Sequence, residues 1–146
     1  MTDRHQTTLR AAEPTDADRI ASLFTDEGYP SGPSDILDRL ARFASPESRV
    51  VVADNDAEIL GFIAVHAIPR FEHSDRIVRI MALVVDPGVR ERGIGRLLIA
   101  EAERIGTELE AAYVEITAGH HRPEARRLYE ELGYDGSVAA YLRKRL

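Results

Sequence analysis

Apolar residues recur along this chain at two spacings, and the changes between them divide the sequence into strands and helices. Short runs rich in valine, isoleucine and leucine predict strands, because branched side chains fit a pleated, half-buried sheet. The predicted strands cover residues 8–11, 50–53, 60–68, 77–85, 113–117 and 139–144. Apolar residues three or four positions apart predict amphipathic helices.

Four helices follow from the second spacing. The first begins after a turn and cap at 13–18, the second covers 34–43, the third covers 93–109, and the fourth begins at Pro123, a position that proline favours. Their predicted inward residues are Ile20, Leu23 and Phe24 in the first, Ile36, Leu37, Leu40 and Phe43 in the second, and Leu97, Leu98, Ala102 and Ile105 in the third.

The order of these elements predicts the fold class. Antiparallel strands come first, and strand, helix, strand and helix follow, which is typical of an α/β protein with a mixed, twisted sheet. About four helices would flank this sheet. A length of 146 residues suits one domain, so we expect a single domain over residues 1–146.

The most informative segment lies where the fourth predicted strand ends. The strand stops at Asp86 and Pro87, and Arg90-x-x-Gly93-x-Gly95 then opens a helix. The first N–H groups of a helix have no acceptor within it, and aligned peptide dipoles add roughly half a positive charge there. Glycines let a backbone approach a phosphate without an intervening Cβ. The segment therefore predicts a phosphate site, although a plain strand-to-helix turn would also use these glycines.

Two other phosphate motifs do not fit this segment. A dinucleotide fingerprint needs a third glycine where this chain has Leu98, and a P-loop needs Gly-Lys followed by serine or threonine.

The segment resembles the acetyl-CoA-binding signature of the GNAT family of N-acetyltransferases, in which arginine or glutamine precedes x-x-Gly-x-Gly or Ala. The resemblance extends through the next helix and strand to Leu128-Tyr129-Glu130-Glu131-Leu132-Gly133-Tyr134. It implies the GNAT (acyl-CoA N-acyltransferase) fold and acetyl-CoA as co-substrate. Loop amides would hold the CoA pyrophosphate, and the strand before them would pair with the pantetheine arm. The implied cofactor-binding residues are Leu83, Val84, Val85, Arg90, Glu91, Arg92, Gly93, Ile94, Gly95 and Arg96.

Arg122 is a departure from the family pattern. Many family members carry a cofactor-contacting asparagine seven residues before the tyrosine, and this chain has Arg122 there. An arginine could bind a CoA phosphate instead, so Arg122 joins the predicted cofactor-binding residues.

Tyr129 matches the tyrosine that the family commonly uses to protonate the leaving thiolate. A thiol has a pKa of about 8.5, so a nearby hydroxyl that supplies a proton eases its departure. Tyr129 could equally belong to an apolar stripe with Ala125, Leu128 and Leu132.

The attacking amine must lose its proton, and two residues are candidates for the base or for acceptor contacts. Glu115 interrupts an apolar strand, and His66 shares a strand face with Phe62 and Ala64. A salt-bridged glutamate or a hydrogen-bonded structural histidine would give the same pattern. We therefore treat Glu115 as a catalytic candidate and His66 as a candidate that contacts the acceptor or acts as the base.

The first two helices border the acceptor site in the family, so acceptor contacts are expected around residues 26–29, including Tyr29, and at the turn 71–75. Carboxylates there would suit a cationic acceptor.

Composition narrows the chemistry further. The chain has no cysteine, which excludes a cysteinyl acyl-enzyme and thiolate metal ligands. The adjacent His120 and His121 supply too few ligands, so no metal is expected. A net charge of −6 argues against a nucleic-acid partner, whereas the local arginines of the glycine segment suit polyanionic CoA.

No membrane partner is expected, because the longest apolar run, 80–85, is far shorter than the roughly 20 residues that span a bilayer. Without an apolar leader after Met1, a cytoplasmic location is expected.

Together with the resemblance, these features predict an acetyl-CoA-dependent N-acetyltransferase that moves an acetyl group directly to a primary amine of a small molecule or peptide. Two alternatives stay open. The domain could bind acyl-CoA without catalysis, as a sensor or regulatory module, or it could bind another phosphate ligand such as a nucleotide. Many relatives pair, so a homodimer is compatible with this prediction.

Overall fold

The computed structural model describes residues 6–117 and 123–146. These form two compact units, one that ends at Val114 and one over Glu115–Leu146. The expectation of a single domain over residues 1–146 stays a prediction.

Helices and strands follow the predicted order. The first unit holds β1 (Thr8–Ala11), a 3₁₀ turn (Pro14–Asp16), α1 (Ala17–Asp26), α2 (Pro33–Arg42), β2 (Ser48–Asp54), β3 (Ile59–Pro69), β4 (Arg76–Val85), a second 3₁₀ segment (Pro87–Arg92) and α3 (Ile94–Glu108). β5 (Tyr113–Ile116) crosses the boundary between the units, and α4 (Pro123–Glu131) belongs to the second.

The five strands form one sheet in the order β1-β2-β3-β4-β5. Each of the first three neighbouring pairs is antiparallel. The crossover through α3 then brings β5 beside β4, as a mixed sheet requires. The predicted α/β fold with a mixed sheet and four α-helices is confirmed for the described residues.

The two faces of the sheet pack against different helices. Phe62, Val52 and Val84 lie opposite one another on β3, β2 and β4, and they pack with residues of α1 and α2 in one buried cluster. Side chains alternate along a strand, so Gly61 belongs to the other face, where Leu98 of α3 lies beside it. The sheet is therefore a middle layer between α1 and α2 on one side and α3 on the other.

Three expectations about the helices and strands are wrong. Leu97, expected to face inward from α3, is 43% exposed, because this helix buries Ile94, Leu98 and Ile99 instead. Residues 139–144 form no strand: Val138, Tyr141 and Leu142 are all exposed, so this segment buries no apolar face that would stabilise one. Leu37, expected to face inward from α2, is 44% exposed. Its neighbour Ile36 is the residue of α2 that is buried, because the inward face of this helix is narrower than its apolar spacing suggests.

A buried ion pair joins β1 to the start of α1. Asp16 accepts two hydrogen bonds from the Arg10 guanidinium, at 2.9 and 3.0 Å, and one from the N–H of Glu13 at 2.7 Å. The Nε of Arg10 also donates to Asp54 of β2 at 2.9 Å. Burial opposes ionisation of Asp16, but the hydrogen bonds from Arg10 and Glu13 hold its pKa below the ordinary value. Three elements are thus fixed by one guanidinium.

Candidate active site

The segment between β4 and α3, residues 86–93, carries the predicted phosphate site, and we call it the glycine loop. Asp86 closes its start: the carboxylate accepts a hydrogen bond from the N–H of Gly88 at 2.9 Å, and the carbonyl accepts one from Val89 at 3.0 Å. The N–H of Asp86 donates to the carbonyl of Leu60 at 2.8 Å, which attaches the loop to β3.

Gly93 ends the glycine loop in a left-handed conformation, with a φ of 80°. Only glycine adopts this conformation routinely, because it has no Cβ to clash with its own backbone. A Cβ built on Gly93 would meet no atom of the described residues within 4 Å. Leu97 donates to the Gly93 carbonyl at 3.1 Å as the helix begins, so the N–H groups of Ile94 and Gly95 precede the helical ladder.

The end of β4 supplies the predicted pantetheine edge. Leu83, Val84 and Val85 lie opposite residues 61–63 of β3. Val84 is buried in the cluster beneath α1, whereas Leu83 and Val85 are half-buried. A Cβ on Gly61 would stand 2.7 Å from the Val84 carbonyl oxygen, so β3 and β4 approach closely only because residue 61 is glycine.

A β-bulge lies just before this edge. Ala82 is opposite Ala64 and Ile80 is opposite Val65, which leaves Met81 as an extra residue in β4. Bulges bend a strand and increase its twist. Met81 is 53% exposed. The direction of β4 therefore changes immediately before Leu83.

Helix α1 is connected to the glycine loop by two ion pairs. The Arg19 guanidinium donates to Asp86 at 2.6 Å, and Arg90 donates to Glu27, which follows the last residue of α1, at 3.2 Å. The N–H of Gly88 and the charge of Arg19 both stabilise the Asp86 carboxylate, so its pKa lies below the ordinary value. Of the predicted cofactor residues, Arg90 is thus paired with a carboxylate in the structure.

The remaining residues of the predicted phosphate site differ in exposure. Ile94 and Gly95 are buried in the first turn of α3, whereas Arg92 and Arg96 are exposed. Glu91 belongs to the 3₁₀ segment. Arg122, together with His120 and His121, lies outside the described residues.

Tyr29 stands in the loop between α1 and α2, on the same side of the sheet as Phe62. Its ring meets the edge of Phe24 at 6.1 Å between centroids, and Phe24 meets Phe62 at 4.9 Å. The Tyr29 N–H donates to the Phe24 carbonyl at 2.9 Å. Tyr29 keeps 51% of its surface exposed, so it presents a fixed aromatic ring at this edge of the fold.

His66 lies on the sheet face of Phe62, four residues further along β3, which corresponds to about 13 Å. Its Nδ1 is 2.8 Å from the hydroxyl oxygen of the buried Ser48, and the Ser45 hydroxyl donates to Ser48 at 3.2 Å. The ring is half-buried. One nitrogen of His66 is therefore occupied by Ser48, and a role at the acceptor would fall to the other.

The second unit contains the two catalytic candidates. Tyr129 is buried in α4, 7% exposed, with its ring 6.0 Å from the ring of Tyr134. The N–H of Tyr134 donates to the Tyr129 carbonyl at 2.9 Å, just beyond the end of the helix. Glu115 is half-buried in β5. These positions are compatible with both readings of Tyr129, a proton donor or a core residue.

Sequence reasoning missed three residues that shape this site, and it missed the partner of Arg90. Gly61 left a usable signal, since a lone glycine inside an apolar strand indicates a bulge or a close backbone approach. Arg19 looks like an ordinary charged residue of a solvated helix. Glu27 belongs to the segment 26–29 that the sequence assigns to acceptor contacts, but its side chain is only 5% exposed and it pairs with Arg90 instead. Met81 gives no signal, because an extra residue in an apolar run does not alter its composition.

The described residues contain neither a metal-binding cluster of side chains nor a membrane-spanning helix. No group of three or more histidine, aspartate or glutamate side chains there is arranged to hold a metal ion. No helix there combines the length and the apolar character needed to cross a bilayer.

The family model of GNAT acetyltransferases matches residues 16–134 of this chain. The chain therefore belongs to the GNAT family, and it is an acyltransferase. It is 30% identical to the uncharacterized N-acetyltransferase YhfO of Bacillus subtilis over 87% of this chain and 89% of that protein. It is 31% identical to the aminoalkylphosphonate N-acetyltransferase of Salmonella typhimurium over 66% of this chain and 63% of that protein.

Among solved structures, a protein described as a transcriptional regulator from Bacillus halodurans superimposes with a TM-score of 0.89. The superposition covers 97% of this chain and 100% of that one, at 22% sequence identity. At this identity the likeness concerns the fold alone.

Proposed function

We propose that this protein transfers an acetyl group from acetyl-CoA directly to a primary amine of a small molecule. The observation that carries the proposal is the glycine loop of a GNAT family member, with Gly93 in the left-handed conformation and the first amides of α3 directly after it. N–H groups that have no acceptor within the helix, together with the helix dipole, favour a pyrophosphate at this position.

The site residues would divide the reaction between them. Backbone groups of Leu83, Val84 and Val85 pair with the pantetheine arm, and N–H groups near them stabilise the oxyanion of the tetrahedral intermediate. The amine nitrogen bonds to the carbonyl carbon of the acetyl group to give this intermediate, which then collapses with cleavage of the carbon–sulfur bond. Tyr129 gives its proton to the departing thiolate.

The attacking amine needs a route for its proton. A lysine-like amine has a pKa near 10.4, so it is mostly charged at neutral pH and must be deprotonated before it attacks. Glu115, or the free nitrogen of His66, accepts this proton directly or through water. No cysteine is present to carry the acetyl group, which agrees with direct transfer.

A small amine is the acceptor class that we favour. The aminoalkylphosphonate N-acetyltransferase is similar to this chain at 31% identity, and its name describes a small acceptor. In this protein Tyr29 presents an exposed ring, and the exposed carboxylate-bearing Asp26 lies shortly before it in the chain. These groups suit an organic amine of modest size.

The test begins with CoA binding. We expect saturable calorimetric binding of CoA to the wild-type protein. Gly93→Ala should weaken it at least roughly tenfold, because the substitution strains the loop. Gly133→Ala is the matched control, since Gly133 also has a positive φ of 96° and open space around its Cβ position. It should carry a similar backbone cost without changing CoA affinity.

Turnover is then measured by release of free thiol from acetyl-CoA over a panel of aminoalkylphosphonates, aminoglycosides and short peptides. Thiol release that depends on a primary amine supports the proposal. Saturable CoA binding without turnover of any amine contradicts it and favours a binding module.

A further inference from the structure

Helix α1 makes ionic contacts with the glycine loop near its first turn and just past its last. Arg19, in the first turn, donates to Asp86 at 2.6 Å. Glu27, directly after the helix, accepts from Arg90 at 3.2 Å. One helix thus contacts both the first residue of the loop and the arginine that opens the glycine motif.

The Arg19 contact acts on the residue that shapes the loop. Both hydrogen bonds that close the loop start, from Gly88 and from Val89, end on Asp86. Arg19 is itself fixed from a second side, because its Nε donates to the Ile59 carbonyl at 3.0 Å. A guanidinium held at two points limits the rotamers of Asp86 and, through them, the direction of the Gly88 N–H.

The Glu27 contact restrains the charged side chain of Arg90 in the glycine loop. The Glu27 side chain is only 5% exposed, whereas Arg90 is 51% exposed. A buried carboxylate is a fixed partner, so it restrains the arginine while leaving part of the guanidinium open to solvent. The outer N–H groups of Arg90 remain able to donate to a phosphate.

We propose that α1 positions the glycine loop for CoA, with Arg19 and Glu27 as the two positioning residues. The inference rests on the proposed function, because CoA is the ligand that the loop would hold. A loop already held in its binding geometry loses less conformational freedom when the ligand arrives, so its affinity is higher. We call the two ion pairs, Arg19 with Asp86 and Glu27 with Arg90, the clamp. Helix α1 also leads into the loop that carries Tyr29, so the clamp connects the proposed acceptor side with the cofactor side.

The first measurement is CoA affinity. Arg19→Gln and Glu27→Gln each remove one ion pair and keep a polar side chain of similar length. We expect each to weaken CoA binding by roughly threefold to tenfold. Arg104→Gln and Glu101→Gln are matched controls, because they remove the same charges from a pair on α3 that contacts at 2.7 Å and lies outside the loop. Both controls should stay within about twofold of wild type.

The second measurement separates positioning from catalysis. In the amine assay, KM for acetyl-CoA should rise by the same factor as the CoA dissociation constant, while kcat at saturating acetyl-CoA changes by less than about twofold. Arg19→Lys keeps the charge but cannot make both hydrogen bonds, so it should fall between wild type and Arg19→Gln. A purely structural role would lower active enzyme concentration and leave KM unchanged.

The third measurement needs no ligand. Amide hydrogen exchange at Gly88 and Val89 in the CoA-free protein should be roughly tenfold faster in Arg19→Gln than in wild type or Arg104→Gln. Unchanged exchange at both amides overturns the inference, and so does a wild-type CoA affinity in both Arg19→Gln and Glu27→Gln. If wild type itself fails to bind CoA, the proposed function is overturned, and the exchange result still decides whether the clamp exists. If Arg19→Gln fails to fold, Arg19→Lys and Glu27→Gln decide the outcome.

Discussion

Gly61 shows how a single missing side chain allows two strands to approach. A Cβ there would stand 2.7 Å from the Val84 carbonyl oxygen and 3.2 Å from the Val85 Cα, and both are backbone atoms that cannot rotate away. We expect Gly61→Ala to lower the free energy of unfolding by about 1–3 kcal/mol, as measured by urea denaturation. Gly88→Ala is the control, since its nearest neighbour would be a side-chain oxygen at 3.4 Å. Equal stabilities for the two variants would refute the close approach.

A single substitution at Tyr129 can distinguish a catalytic role of its hydroxyl from a packing role of its ring. Tyr129→Phe removes one oxygen and keeps the ring that lies beside Tyr134. If the hydroxyl protonates the thiolate, kcat should fall by at least about 100-fold while KM for acetyl-CoA stays nearly constant. Tyr134→Phe is the matched control and should retain kcat. A fully active Tyr129→Phe enzyme would assign Tyr129 to the core instead.

At the residue scale, sequence reasoning identifies types of chemistry better than it identifies partners. The Arg90-x-x-Gly93-x-Gly95 pattern was sufficient to predict the loop and the helix that follows it. That Arg90 contacts Glu27, 63 residues earlier, depends on the packing of α1, which no local pattern encodes.

At the scale of secondary-structure elements, the contact between β1 and the start of α1 depends on the ionised carboxylate of Asp16. Asp16 has a pKa below its ordinary value of 3.8. A carboxyl group with a lowered folded pKa stabilises the fold fully above its unfolded pKa, and this contribution is lost as the pH falls through the folded value. Asp16→Asn should therefore lower the free energy of unfolding by about 2 kcal/mol at pH 7.

The same variant should also show a smaller loss of stability than wild type when the pH is lowered from about 5 to below the ordinary pKa. Asp38→Asn, on the exposed surface of α2, serves as control in the same denaturation series. A wild-type pH dependence in Asp16→Asn would show that other carboxylates govern acid unfolding.

The loop between α1 and α2 gives a prediction about the acceptor. Tyr29→Ala removes the exposed ring that is supported by Phe24. Because this ring lies on the proposed acceptor side, KM for the amine should rise by roughly tenfold while KM for acetyl-CoA is retained. Kinetics with each substrate varied in turn check this. A change confined to the KM for acetyl-CoA would show that Tyr29 does not contact the acceptor.

Helices and strands could be predicted from the sequence where the apolar spacing is regular. They could not be predicted where their formation depends on strand register or on burial of the segment. The strand expected at 77–85 is observed at Arg76–Val85, and the helix expected at 93–109 is observed at Ile94–Glu108. The strand expected at 139–144 is absent, because apolar composition alone does not bury a segment.

The charge pattern of the whole molecule bears on its affinity for CoA. The protein carries a net charge of −6, yet Arg90, Arg92 and Arg96 lie in or next to the glycine loop. Short-range attraction by these arginines should outweigh repulsion from carboxylates that are farther away than the Debye length of about 8 Å at physiological salt. We therefore expect CoA to bind roughly fivefold more weakly at 0.5 M than at 0.05 M salt. Calorimetric titrations at both concentrations check this, and tighter binding at high salt would contradict it.

At the same scale, the order of elements was enough to predict the layers of the fold. Antiparallel strands followed by strand, helix and strand have few arrangements that keep connections short and uncrossed. The acceptor was not predictable, because the side chains that would select it come from loops whose positions depend on the packed helices.

The extra residue in β4 carries a consequence for chain length. The pairings on either side of Met81 are Ala82 with Ala64 and Ile80 with Val65, which are already consecutive positions of β3. A chain without Met81 would keep every cross-strand partner between β3 and β4. The pairing of β3 with β4 therefore does not require this residue. Its deletion would leave these pairings in place along a straighter strand, and it would show whether the proposed pantetheine edge at the end of β4 depends on the bend that Met81 introduces.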